Sequence, residues 1–207
     1  MDKLDFRKRD RAFYTGRAGH WDRLTLPDMT FLAIEGRGDP NGPAYAEALA
    51  ALYPLAYGVK FACKAAGADF TVPPLEALWW ADDPRAFVAG DRAAWRWRAM
   101  LRVPDDVTGE MVETARAAAR RKGKAGPFES VALTRSAEGD CLQCLHLGPY
   151  SAEAPALAQL HDEIMPGAGL DFAGPHHEIY LSDPRRVPAE KLRTILRQPV
   201  RPIRSTA

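Results

Sequence analysis

Two stretches of this chain recur in the same order, and that duplication limits the available folds more than any other feature. Trp79-Trp80-Ala81-Asp82-Asp83-Pro84-Arg85 is paralleled by Ile179-Tyr180-Leu181-Ser182-Asp183-Pro184-Arg185. Met100-Leu101-Arg102-Val103-Pro104 is paralleled by Ile195-Leu196-Arg197-Gln198-Pro199. Upstream of each pair, Ile34-Glu35-Gly36 and His146-Leu147-Gly148 close what reads as a hairpin and precede a helical stretch. Three anchors in one order imply two copies of a hairpin–helix–strand–strand unit. The fold class expected is therefore α+β, with antiparallel sheets and one long helix per copy. A pseudo-twofold axis would relate the copies around a central cleft, the default place for a ligand.

The local patterns fill in this plan. Residues 1–20 are polar and read as an N-terminal arm, mobile as chain ends usually are. The domain proper runs over 21–207, with a first repeat at about 21–104, a linker helix at 108–123 and a second repeat at about 128–207. Trp21 to Leu26 alternates like a strand, Pro27-Asp28 turns it, and Thr30 to Gly36 returns. From Ala44 to about Ala66 apolar residues recur at helical spacing, Pro43 suits the first turn, and Pro54 should kink or restart the helix. Leu75–Ala81 and Ala94–Val103 read as strands. Thr108 caps the next helix, with Met111, Val112, Ala115 and Ala119 on its apolar stripe. Ser130–Arg135 and Cys141–Leu147 read as a second hairpin joined through residues 137–140. A helix from Ser151 to about Met165 and a final strand from Leu192 to Val200 complete the second copy.

The segment Gly174 to Leu181 carries the chemistry. Side chains on a strand alternate between faces, so His177, Ile179 and Leu181 suit a core while His176, Glu178 and Tyr180 share the other face. A glutamate in the middle of a short strand is against type. The repeat sets Glu178 against Leu78 and Tyr180 against Trp80, so one copy places a carboxylate where the other has an apolar residue. A departure of that kind within a repeat marks Glu178 as the candidate functional group.

Composition removes several classes of function. The chain has 207 residues and a formal net charge of +1, which gives no field to draw nucleic acid or an anionic membrane. No apolar run is long enough to span a bilayer, and the charged N-terminus lacks a secretory signal. Three cysteines, an odd number, do not suggest a disulfide framework, and a reducing cytoplasm is expected. Cys141 and Cys144 fall on opposite faces of a strand, which disfavours a redox or zinc pair. His146, His161, His176 and His177 show no helical spacing with a carboxylate, so no metal site is expected. Gly36-Arg37-Gly38-Asp39-Pro40 lacks the lysine of a phosphate loop, and no Gly-x-Ser-x-Gly elbow occurs.

Phe31-Leu32-Ala33-Ile34-Glu35-Gly36, Leu145-His146-Leu147-Gly148-Pro149-Tyr150, His177-Glu178-Ile179-Tyr180-Leu181 and Arg197-Gln198-Pro199-Val200 together resemble the GyrI-like small-molecule-binding domains. The resemblance covers about residues 21–207. It implies a duplicated β-α-β-β (SHS2-type) fold, shared with SOUL haem-binding proteins and the effector domains of multidrug-sensing regulators. It also implies a cleft for bulky, flat, often cationic or aromatic compounds, with a glutamate corresponding to Glu178 and no cofactor. With Leu78-Trp79-Trp80 and Trp95-Arg96-Trp97, the chain is most similar to the branch that hydrolyses cyclopropanoid DNA-alkylating natural products of the yatakemycin type. On that footing Glu178 is expected to be the catalytic base, and Tyr180 to orient water or donate to the developing oxyanion. Tyr57, Trp80, Trp97 and His176 are expected to bind a polycyclic or aromatic small molecule. Four of the five tryptophans cluster between Trp79 and Trp97, where core strands usually use aliphatic residues, which suits a stacking surface, though each alone equally suits a packed core. The N-terminal arm is too short for a DNA-binding helix-turn-helix, so no direct nucleic-acid binding and no membrane partner is expected. The oligomeric state, monomer or dimer, stays open. The alternative is a non-catalytic binder of drugs, haem-like molecules or a partner protein such as DNA gyrase.

Overall fold

The computed structural model describes residues 3–83, 86 and 89–203 and has α+β architecture. Pro84 and Arg85 of the first repeat motif lie outside the described residues. The chain divides into two compact units, Met1–Arg11 with Asp28–Ser136, and Ala12–Pro27 with Ala137–Ala207.

The first unit opens with α1 (Phe6–Arg9), followed by β1 (Asp22–Arg37), whose residues from Asp28 onward belong here. Then come α2 (Pro43–Ala65), β2 (Glu76–Ala81), β3 (Trp95–Arg102) and α3 (Gly109–Arg121). Strand β3 is central, antiparallel to β1 on one edge and to β2 on the other. Helix α2 continues unbroken through Pro54, so it does not restart there. An internal proline costs about 3 kcal/mol. Burying Leu52, Leu55 and Val59, all fully enclosed on one face, returns about 1.5–3 kcal/mol for each. Packing therefore outweighs the lost hydrogen bond.

Helix α3 begins as expected, with the Thr108 hydroxyl accepting from the Met111 amide at 3.3 Å. It packs against α2 instead of hanging between repeats. A side chain on Gly58 would meet the Ala115 methyl at 2.7 Å, so a glycine on α2 is what lets the two helices approach. Its Arg116 is buried and donates to the carbonyls of Phe128 and Val131 at 3.0 and 2.9 Å.

The second unit contains the start of β1, then β4 (Ala132–Leu147) from residue 137 onward, α4 (Ala154–Ala158), a π-helical turn (Gln159–Ile164) and α5 (Met165–Gly167). Strands β5 (Leu170–Phe172), β6 (His176–Tyr180) and β7 (Arg193–Pro202) follow. Strand β7 is central between β4 and β6, and its far end pairs with β5. Leu142, Cys144, Leu160, Met165, Leu170, Leu196 and Val200 pack around Trp21 to form its core.

Three expectations need correction. The two supposed hairpins are single strands of 16 residues each. Pro27 lies within β1, ahead of the ladder to β3, which begins at Phe31. Gly139 has φ +65° and bends β4 without reversing it. The N-terminal arm is also held down. Phe6 is buried edge-on against Phe70, and the Arg102 guanidinium lies over its ring while pairing with Asp10 at 2.8 Å.

The third correction concerns register. With Gly36 set against Gly148 and Met100 against Ile195, the pairs Glu35–Arg98 and Leu147–Arg193 occupy matching places. The Asp-Pro-Arg motifs do not keep that register. Met100 faces Glu76, whereas Ile195 faces Ile179. Glu178 thus corresponds to the position just ahead of β2 and not to Leu78. A turn motif beyond the end of a strand does not fix pairing; the side chains filling the core do.

Candidate functional site

Strand β6 shows the alternation expected of it. His177 and Ile179 are fully buried, while His176, Glu178 and Tyr180 are half-buried on the other face. The Glu178 side chain keeps 14% of its surface exposed and His176 16%, with His176 Nε2 at 3.8 Å from Glu178 Oε1. Tyr180 stands edge-on to Tyr150, ring centroids 5.6 Å apart, and Tyr150 is exposed.

The residue that sequence reasoning missed is Glu153. It follows the single turn Tyr150–Ala152 after Gly148-Pro149, and there its side chain is buried. Burial pushes its carboxyl up to about 9, and the negative charge of Glu178 adds to the rise. Burial likewise raises Glu178 to about 7, against the opposing pull of a Tyr180 hydrogen bond and of His177. Two carboxyls that repel one another titrate as a pair. Both carboxyls are held above the ordinary glutamate value, chiefly by burial. The Tyr150 phenol is pushed up to about 12, first by burial and then by Glu178, Glu153 and Asp183, so it remains a hydrogen-bond donor. His176 is driven down to about 3, chiefly by burial and then by His161 and His177, and it stays neutral. The only sequence sign of Glu153 was its place two residues after Ser151 at a helix start, where a carboxylate is ordinary.

Behind this face lies a charged cluster. His177 Nδ1 is 2.8 Å from Glu138 Oε1, and Arg197 Nη1 donates to Glu138 Oε2 at 3.0 Å. Arg197 also donates to Gln143 Oε1 at 2.9 Å and to the Phe13 carbonyl at 2.6 Å. Gln143 in turn donates to the carbonyls of Ala12 and Thr15.

Tyr57, Trp80 and Trp97 belong to the first unit. Tyr57 is 46% exposed on α2, tilted against the exposed Phe61. Trp80 is half-buried at the end of β2. Trp97 is only 2% exposed, packed over Gly36 and edge-on to Tyr45 at 4.9 Å, so it presents no open face to a ligand. Among the described residues no cluster of three or more His, Cys, Asp or Glu side chains is arranged to hold a metal ion. The three cysteines are free and buried, and no described helix is long and apolar enough to cross a membrane.

The GyrI-like small molecule binding domain family matches residues 23–201. An uncharacterized conserved protein from Listeria innocua is 41% identical, with 96% of this chain and 100% of that one covered at a TM-score of 0.89. A hydrolase from Listeria innocua is 40% identical over 96% of this chain and 100% of its own, at a TM-score of 0.84. The C-terminal domain of EcmrR, 12% identical at a TM-score of 0.58 over 88% of this chain and 98% of that domain, shares the fold alone. No curated protein sequence matches the chain.

Proposed function

We propose that this chain, which belongs to the GyrI-like small molecule binding domain family, hydrolyses strained, flat electrophiles of the cyclopropanoid class. The observation that carries the proposal is the buried pair Glu153–Glu178 beside Tyr150 and Tyr180. A hydrolase needs a carboxylate basic enough to take a proton from water near pH 7, and burial raises Glu178 to about that value. The 40% identical hydrolase from Listeria innocua supports the reading.

In this scheme Glu178, ionised, removes a proton from water as the water oxygen bonds to the cyclopropane methylene. The C–C bond to that methylene breaks, and its electron pair passes through the dienone to the carbonyl oxygen. Tyr180, hydrogen-bonded to Glu178, orients the attacking water. The proton held by Glu178 returns through solvent to the new phenolic oxygen, so the net change is addition of one water. Glu153 keeps its own proton, which spares Glu178 a second adjacent negative charge. Neutral His176 contacts the substrate. The matching strand–helix–strand–strand order of the two units favours their origin as copies of one element.

Incubation with a cyclopropanoid and mass spectrometry for the ring-opened hydrate tests the proposal. Glu178→Gln should lose turnover and keep ligand binding, and the rate should be bell-shaped, rising through about pH 7 and falling through about pH 9. Binding without hydrate in the unaltered protein would favour the second reading, a non-catalytic small-molecule binder, which the half-buried aromatics also suit.

A further inference from the structure

Strand β6 and the helical segment that covers it carry polar atoms left unbonded by the rest of the chain. Glu178 stands opposite Leu196 in the β6–β7 ladder, and Phe172 stands opposite Val200 in the β5–β7 ladder. Opposed residues share a face, and Leu196 and Val200 both pack into the core with Leu160 and Met165. His176, Glu178 and Phe172 therefore lie on the sheet face that the segment from Ala154 to Gly167 covers. Within that segment the helix widens into the π-helical turn Gln159–Ile164, a rare distortion that recurs at functional sites. Leu160 of the turn is fully buried, and the next residue, His161, stands edge-on to Phe172 with ring centroids 5.0 Å apart. Both ring nitrogens of His176 and Nε2 of His161 are buried, and none has a hydrogen-bond partner among the described residues. His176 Nε2 lies 3.8 Å from Glu178 Oε1, beyond hydrogen-bond reach.

We propose that His161 and His176 form a recognition subsite for an uncharged group that both donates and accepts hydrogen bonds, a carboxamide on a flat aromatic ligand, with His161 setting the specificity. The inference rests on the reading of this face of β6 as the ligand site, and adds to it the polar end of the ligand. Buried polar atoms are almost always paired, so three bare imidazole nitrogens on one covered face require a partner from outside the chain. A neutral imidazole offers one N–H and one lone pair. With both nitrogens open, His176 can give one hydrogen bond and take another, and His161 Nε2 supplies a third. A carboxamide matches this set, since its NH2 donates and its oxygen accepts. A carboxylate cannot donate and an amidinium cannot accept, so either would leave an imidazole atom unpaired. Burial lowers both imidazoles, His176 to about 3, which keeps them in the neutral form.

The test is binding of 1-naphthamide to the full chain, followed by calorimetry and by 15N-histidine NMR, the signals assigned from His161→Phe and His176→Phe. The amide should bind saturably and shift the ring nitrogens of both His161 and His176. It should bind about tenfold more tightly than 1-naphthoate or 1-naphthamidine, which keep the flat body and change only the polar group. His161→Phe keeps a ring against Phe172 and removes the nitrogen, so it should weaken the amide about tenfold and the charged probes little. Equal or tighter binding of either charged probe overturns the proposal, as does an unchanged affinity in His161→Phe. Amide binding that leaves either histidine unmoved overturns it too. So does no binding of the amide, which would leave the nitrogens to water alone. If His161→Phe does not fold, the histidine shifts of the unaltered chain decide alone. None of these readouts needs turnover. A protein that binds the amide through both histidines but forms no hydrate loses the hydrolase reading and keeps the subsite. Hydrate formed without any amide-induced histidine shift does the reverse.

Discussion

Replacing Glu153 with Gln should stabilise the protein at neutral pH while impairing the site. Glu153 ordinarily titrates at 4.5, but in the fold it keeps its proton up to about 9. The folded state then binds more protons than the unfolded state, so stability is fully present below pH 4.5 and falls as pH rises toward 9. At pH 7 the gap from 4.5 is roughly two and a half units. At about 1.4 kcal/mol per unit, keeping this carboxyl neutral costs about 3 kcal/mol. A glutamine imposes no such requirement. Urea unfolding of both proteins at pH 4 and pH 7 isolates the effect, because any packing change from the amide is common to the two pH values. The variant should gain about 3 kcal/mol more at pH 7 than at pH 4. An equal change at both would mean that Glu153 is not held protonated, and the carboxylate pair would fail with it.

The opposite sign is expected at Glu138. Burial pushes its carboxyl up, but His177 and Arg197 together outweigh burial and hold it down at about 2. Its contribution, about 3 kcal/mol, is present above pH 4.5 and lost as pH falls toward 2; acid unfolding should show it, and Glu138→Gln, less stable at pH 7, should lose that slope. Gly36→Ala would put a methyl 2.2 Å from the Trp97 ring, which is buried and cannot swing away. A loss of about 1–3 kcal/mol is expected, read as a lower Tm, and no loss would refute the packing assigned to Trp97. Burial pushes the Cys141 thiol up to about 12, so it should resist thiol reagents in native buffer and react only on unfolding.

Much of this fold is written in local periodicity. The buried face of α2, the Thr108 cap, the Trp95–Arg102 strand and the alternation of His176 to Tyr180 follow from helical or strand spacing, which neighbouring residues determine alone. Glu178 stood out because a carboxylate breaks that pattern. The hairpins were misread because Pro27 and Gly139 look like turns in isolation, whereas each lies inside one continuous strand. Trp97 looked like a ligand wall, yet Gly36, far away in sequence, supplies the space that buries it. Glu153 has an ordinary sequence setting, and its significance comes from enclosure and from the charge of Glu178 across the fold. By itself, then, the sequence determined which faces are buried and which residue departs from type. Tertiary structure decided the strand register and the burial that raises the Glu153 and Glu178 carboxyls, because pairing and desolvation arise between residues distant in the chain.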